Sequence, residues 1–344
     1  MTLPTTHCQT STADRRDGFT LIEIVVVMAI MAALGGIGFG VYQNLSGGDR
    51  MARAQVLDAM HAARSFAQRE RAPSKVVLDP NSSRIFASGL RTVGNWHFED
   101  EEGTGWPDRA LYDPGSLIRD GLVGSGLRLT ADRPLAIPRL PSSFDSPMGF
   151  GVDVYLAPEE DPRPMVLLER PGCWRLLLDG RDQLVVQIAL EGQGAEVELF
   201  ETTLKTPPLK SWLFTRLTVV FDGRSLHVAL NGVRAVEDTV FEGVRQLVVR
   251  EDAPIHTGEG PLRYRGTMDE LRILSVVSAE SEPLPTGVTI SGEARLIHID
   301  GYGHLDRSYH GGPVEVSLDW GEPPQRTIVE MGLFGTTALR EESP

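Results

Sequence analysis

Few residues in this chain are of types that do chemistry, and Glu23 is the most conspicuous. It is the only charged residue between Phe19 and Tyr42. A carboxylate inside so apolar a run costs about 2.5–3.5 kcal/mol on insertion scales, so it needs a positive partner and marks function. Glu196, Glu198 and Glu201 form a second group, an acidic run of the kind a glycosidase could use. Retaining hydrolysis needs two carboxyls about 5–5.5 Å apart in one cleft. In a regular strand Glu196 and Glu198 share a face while Glu201 points to the other, so a solvated acidic strand accounts for them better than catalysis does. Asp269, with Glu99 and Asp100 upstream, supplies oxygens of the kind calcium takes, although calcium wants about six to eight of them. The alternative is that Asp269 caps a turn or accepts backbone hydrogen bonds. Cys173, beside Trp174 in an apolar stretch with no histidine nearby in sequence, reads as a small buried hydrophobe.

The elements around these residues follow from pattern. Residues 19–42 as a helix would extend roughly 36 Å, enough for a bilayer core of about 30 Å. Arg15 and Arg16 precede the run, so the N-terminus stays cytoplasmic and everything after Tyr42 faces outward. Asn44-Leu45-Ser46-Gly47-Gly48-Asp49 reads as a break or kink at the outer surface. Helical spacing resumes over 50–71, with Ala52, Val56, Ala59, Met60, Ala63 and Ala67 on one stripe. Pro73 ends it, and a short hairpin over 75–87 follows. The 344 residues, 41% hydrophobic and 23% charged, suit a folded chain of two or three domains. A net charge of −14 with no basic patch excludes nucleic acid as a partner.

Gly18-Phe19-Thr20-Leu21-Ile22-Glu23 resembles the class III signal of type IV pilins and pseudopilins. The resemblance implies that a prepilin peptidase cuts between Gly18 and Phe19 and that Phe19 becomes the N-methylated terminus. It further implies that Glu23 pairs with the terminal amine of a neighbouring subunit during assembly, which supplies the positive partner its burial demands. Cys8 would leave with the leader, so the mature chain would keep only Cys173 and form no internal disulfide. The segment 63–87, together with the strands after residue 286, resembles the heads of minor pseudopilins of the general-secretion H type and the fimbrial T type. His298-Ile299 replaces the phenylalanine stretch usual there.

Between residues 91 and 278 a different rhythm intervenes. Trp96-His97-Phe98-Glu99 opens it. Alternating strands follow over 149–156, 173–178, 184–190, 212–221 and 226–230, and Gly266-Thr267-Met268-Asp269-Glu270-Leu271-Arg272-Ile273 closes it. Many short strands with regular turn signals and no helix mean a β-sandwich. Asp222-Gly223 and Asn231-Gly232 read as type I′ hairpin turns. In this order the motifs are similar to the laminin-G-like, concanavalin-A-like jelly roll. That resemblance implies a binding module, often for glycans or proteins and often with one calcium, which here would fall to Asp269, Glu99 and Asp100.

The expected fold class is therefore α+β, with a long N-terminal transmembrane and amphipathic helix on a small antiparallel pilin sheet and an inserted all-β jelly-roll sandwich. The expected divisions are a leader at 1–18, a membrane helix at 19–42, a first half of the head at 43–90, a sandwich at 91–278, a linker at 279–286 and closing head strands at 287–344. The expected function is that of a minor pilin or secretion-type pseudopilin of the inner membrane, with periplasmic or filament-borne outer domains. Its partners would be other pilin subunits, the prepilin peptidase and a glycan or protein ligand. Binding, not catalysis, is the expected chemistry; a glycan hydrolase and a purely structural spacer are the alternatives. Beyond a possible structural calcium, no cofactor is expected. Gly18→Val puts a side chain where the peptidase must accept none, so it should leave the leader attached and block assembly. N-terminal sequencing of the wild-type mature protein should begin at Phe19, and any other start would refute the cleavage site.

Overall fold

The computed structural model describes residues 21–342 apart from 81, 101–104, 107–109, 139–145, 181–182, 193–195, 206–208, 242–243, 251–252, 280–281, 292–294 and 322–324. One helix, α1 (Leu21–Glu70), opens it and extends about 75 Å. The break expected at 44–49 is absent, and the helix passes straight through Gly47 and Gly48. Glycine costs about 1 kcal/mol in a helix interior, but here packing offsets it. A Cβ at Gly48 would meet Pro285 and Val288 at 3.5 and 3.8 Å, so tertiary contact begins at that turn. The helix ends with Arg71 at φ 49°, and Ala72 N–H donates back to Ala67 O at 3.3 Å. This is the left-handed closing turn that satisfies a terminal carbonyl before Pro73 forbids continuation.

The principal strands are numbered in chain order. β1 (Ser74–Asp79) and β2 (Arg84–Trp96) form the expected hairpin, but β2 is thirteen residues long and runs through position 90 without interruption. Then come β3 (Phe150–Pro158), β4 (Met165–Arg170), β5 (Trp174–Leu178), β6 (Leu184–Glu191) and β7 (Val197–Leu204). β8 (Thr215–Phe221), β9 (Ser225–Leu230), β10 (Ile255–His256) and β11 (Gly266–Ala279) follow. The chain closes with β12 (Val288–Ile290), β13 (Arg295–Ile299), β14 (Val314–Trp320), β15 (Gln325–Met331) and β16 (Thr337–Glu342). Among the described residues the first sheet has the order β9-β8-β3-β11-β2-β1-β13, the second β7-β6-β5-β4-β10, and the third β12-β14-β15-β16.

Strand alternation explains the sandwich. Val152, Val154 and Leu156 of β3 and Leu217 and Val219 of β8 turn inward from the first sheet; Trp174, Leu176, Val186 and Ile188 do so from the second. A separate core forms under the helix stripe, where Ala52, Val56, Met60, Ala63 and Ala67 meet Val76, Ile85, Ile297, Val316 and Val329. The segment expected as a linker is docked there as well, since Leu284 is buried and its N–H donates to Ser83 O at 2.8 Å. The ends of the 91–278 stretch meet directly: β2 and β11 pair from Ala87↔Ala279 to Trp96↔Leu271. Of the two turns, Asn231-Gly232 has positive φ at both positions, as type I′ requires. Asp222 does not; it accepts from Arg224 and Ser225 N–H at 2.9 and 2.8 Å and closes the turn with its side chain instead.

Because β2 and β11 each serve both cores, the cores should unfold together. Met60→Ala in one core and Leu271→Ala in the other, each costing about 2–5 kcal/mol, should lower the midpoint of one common transition followed by circular dichroism and tryptophan fluorescence. Two separated transitions, each moved by only one variant, would show that the units unfold independently.

Candidate functional site

Gly18 and Phe19 lie outside the described residues. Glu23 falls within α1, and its side chain, like those of 32–46 in the apolar run, is also outside the description. Among the described residues no helix is long and apolar enough to cross a membrane.

Asp269 and Glu99 are brought to one loop. A bulge in β11, with Glu270 at φ 49°, shifts the register between Asp269 and Arg272 and turns Asp269 inward. Its carboxylate accepts from Leu122 N–H at 2.8 Å, Val123 N–H at 3.2 Å and Glu270 N–H at 2.8 Å. Burial, aided by the charge of Glu270, raises its pKa above the usual carboxylate value against the pull of those donors. Glu99 accepts from Ser125 N–H at 3.1 Å, and the backbone carbonyl of Asp100 accepts from the Tyr112 hydroxyl. Oxygens aimed at N–H donors do not suit a calcium ion, and among the described residues no group of three His, Cys, Asp or Glu is arranged to hold a metal. These acids hold a loop. Cys173 is buried in the sandwich core.

Of the acidic run, Glu198 and Glu201 lie on β7, the edge of the second sheet, and Glu196 just precedes it. Glu198 pairs with Arg245. Glu201, on the opposite face, accepts from Gln187 Nε2 at 2.6 Å. That contact belongs to a longer row. The registers set His256 opposite Glu169, Glu169 opposite Arg175, Arg175 opposite Gln187 and Gln187 opposite Glu201, one residue from each of β10, β4, β5, β6 and β7. Four strand spacings make the row about 19 Å long. Glu169 receives Arg175 Nε at 2.6 Å and lies 3.5 Å from His256 Nδ1, while Arg175 Nη1 reaches Gln187 Oε1 at 3.5 Å. Trp174, Leu176, Val186 and Ile188 point into the core, so alternation sends Arg175 and Gln187 to the outer face. Apolar residues flank its middle: Val166, Leu177 and Val185 on one side, a line that ends in Thr203 of β7, and Ala189 and Leu199 on the other. A cavity of about 170 Å³ lies along this row, lined by Glu169, Gly172, Trp174, Arg175, Gln187 and Leu199 among others. Sequence reasoning missed these residues, although a lone Arg175 in Trp-Arg-Leu-Leu-Leu and a lone Gln187 in Leu-Val-Val-Gln-Ile-Ala-Leu were visible signals.

A second charged cluster joins sandwich to head. Asp153, buried on β3, receives Arg216 in a two-point contact at 2.8 and 2.9 Å, Thr218 Oγ1 at 3.0 Å, and Arg272. Burial alone would raise its pKa; the Arg216 hydrogen bond and the charges of Arg272 and Arg216 outweigh that and lower it. Arg272 also donates to Glu70 O at 2.9 Å, and Arg216 to Arg71 O at 3.4 Å, so both cations sit at the C-terminus of α1 where the helix dipole favours them. Beside them a small cavity of about 40 Å³ is lined by Lys75, Asp222, His227, Asp238, His298 and Tyr309 among others. Tyr309 donates to Asp238 at 2.5 Å, lies 2.8 Å from His227 Nδ1, and stacks on His298 with ring centroids 3.7 Å apart. Lys75 pairs with Asp222.

Burial, then the charge of Lys75, lowers the His298 pKa from 6.5 to about 4; His310 and His227 add to this and Asp238 opposes it. The unfolded chain therefore binds a proton in a window where the folded one does not, and stability falls as pH drops from 6.5 towards about 4. Asp153 and Asp238, both held below 3.8, weaken the fold only at lower pH still. The melting temperature should decline across the first window in wild type, and His298→Phe, which keeps a stacking ring, should flatten that decline. An equal slope in both proteins would remove His298 as its source.

The profile of the prokaryotic N-terminal methylation motif matches residues 14–39, so the chain carries a pilin-type, membrane-anchoring signal. Among curated proteins nothing matches the chain. Among solved structures, domain 4 of an extracellular arabinanase from Geobacillus stearothermophilus, in complex with arabinotriose, is similar over 56% of this chain and 95% of its own, at 16% identity and TM-score 0.40. The sialyllactose-bound CBM40 of a Ruminococcus gnavus sialidase is similar over 43% and 88%, at 8% identity and TM-score 0.33. A Trypanosoma rangeli sialidase is similar over 53% of this chain, at 17% identity and TM-score 0.37, and this chain spans only 30% of it. At such scores none of the three carries an argument about what this chain binds.

Proposed function

We propose that this chain is a minor pilin-like subunit, of the pseudopilin or fimbrial kind, that carries a binding sandwich outside the inner membrane. Prepilin peptidase cuts after Gly18, Phe19 is methylated, and residues 19–42 hold the protein in the membrane until it joins other pilin subunits. The observation that carries this reading is the methylation motif at 14–39 leading directly into α1, whose far half is the buried spine of the head.

The sandwich acts by binding a glycan or a protein, not by hydrolysis. The row's two acids, Glu169 and Glu201, stand three strands apart, about 14 Å. Glycoside hydrolysis uses carboxyl pairs about 5–5.5 Å or about 6.5–9.5 Å apart. Glu198 and Glu201 face opposite sides of their strand, which supports the same conclusion. Full-length protein presented to glycan and protein arrays should bind in at least one; binding in neither would reduce the sandwich to a spacer.

Glu23 carries the assembly half of the proposal. Glu23→Ala removes an intramembrane charge and should ease insertion by about 2.5–3.5 kcal/mol. The variant should be inserted and cleaved normally yet recovered poorly with other pilins in sheared filament fractions. Normal co-assembly would end the charge-pair account.

A further inference from the structure

We propose that the polar row His256–Glu169–Arg175–Gln187–Glu201 is the ligand site of the sandwich, and that it takes an uncharged, linear, polyhydroxylated chain lying across the strands. The inference rests on the display reading above and specifies its site and ligand class.

The shape of the site comes from register. Five consecutive strands place one polar side chain each on a common line across the outer face, a track of about 19 Å. Beside the middle strands the neighbouring lines are apolar, with Leu177 and Val185 on one side, a line that ends in Thr203 on β7, and Ala189 and Leu199 on the other. A polar track between apolar margins matches a chain whose edges carry hydroxyls and whose faces carry C–H groups. A globular partner would cover the face without following one line.

The ligand's charge comes from the side chains. The row holds two carboxylates and one guanidinium, and Arg175 already gives its Nε to Glu169 at 2.6 Å. An anion would meet Glu201 and Glu169 on a chain of net charge −14. A cation would meet Arg175 at the centre of the row. Amide, guanidinium and carboxylate groups in alternation offer donors and acceptors together, which is what hydroxyl groups, each both donor and acceptor, require. Arg175 keeps 41% of its side chain exposed while Glu169, at 6%, anchors it from below.

The test uses full-length protein in detergent, run through native gels cast with xylan, linear arabinan, mannan or mixed-linkage β-glucan, and with polygalacturonate as the anionic comparison. At least one neutral polymer should retard wild type more than polygalacturonate does. Gln187→Ala and Glu201→Ala should weaken that retardation about tenfold through lost hydrogen bonds. Glu201→Gln, which keeps hydrogen-bonding atoms, and Arg340→Ala, on the head, should retain it. Thermal melts within a few degrees of wild type, about the size of a minor surface change, would show that the weak variants are folded. Retardation unaffected by Gln187→Ala and Glu201→Ala, or by polygalacturonate alone, would overturn the row as the site while leaving the display reading intact. No retardation by any neutral polymer would overturn the ligand class; the display reading would fail only if the protein arrays were blank as well.

Discussion

The tertiary structure depends on one buried carboxylate. Asp153 lies beneath the meeting point of helix, sandwich and head, and it holds Arg216 and Arg272 so that both guanidinium groups reach the last carbonyls of α1. Each cation by itself would be costly to desolvate there. Paired to one anion, and directed at a helix terminus of partial negative charge, the two become a clamp. Removing one partner from such an arrangement typically costs about 3–5 kcal/mol, because it leaves an uncompensated buried charge.

The clamp explains why the sandwich is not a loose passenger. Ala72, just past the helix end, packs with Leu90, Val220, Leu274 and Val276, a small apolar cluster on the face of the first sheet away from the sandwich core. Lys75 with Asp222, and Tyr309 with Asp238, extend the contact across the same face. One face of the first sheet thus serves the sandwich and the other receives the head. Strands β2 and β11 pass through both. The orientation of the sandwich therefore follows that of the helix.

With one sheet of the sandwich used for attachment, the second sheet keeps its outer face for other work. There Arg175 and Gln187, lone polar residues in apolar stretches of β5 and β6, come into line with polar residues of β10, β4 and β7. On other parts of the sandwich, Asp269 and Glu99 hold a loop, and Asp222 closes a turn and pairs with Lys75.

Much of this was legible in the order of residues. The helix stripe from Ala52 to Ala67, the alternation that makes β3, β5 and β6 strands, and the positive-φ turn at Asn231-Gly232 are local patterns, fixed by the periods of 3.6 and 2 and by what a backbone tolerates at one position. The methylation signal is local too, a contiguous string of residues. What the sequence alone misjudged was decided by contacts made far along the chain. Gly47-Gly48 reads as a break, yet Pro285 and Val288 pack against the helix there. The 279–286 stretch reads as a linker, yet Leu284 is pinned to Ser83. For Asp269 the sequence left ligand and backbone acceptor both open, and a bulge in the folded sheet directs it at the backbone of Leu122 and Val123. The row from His256 to Glu201 is the clearest case. Its five members are scattered over 88 positions of sequence and are joined only by strand register, which the pairing of whole sheets sets and no single strand encodes.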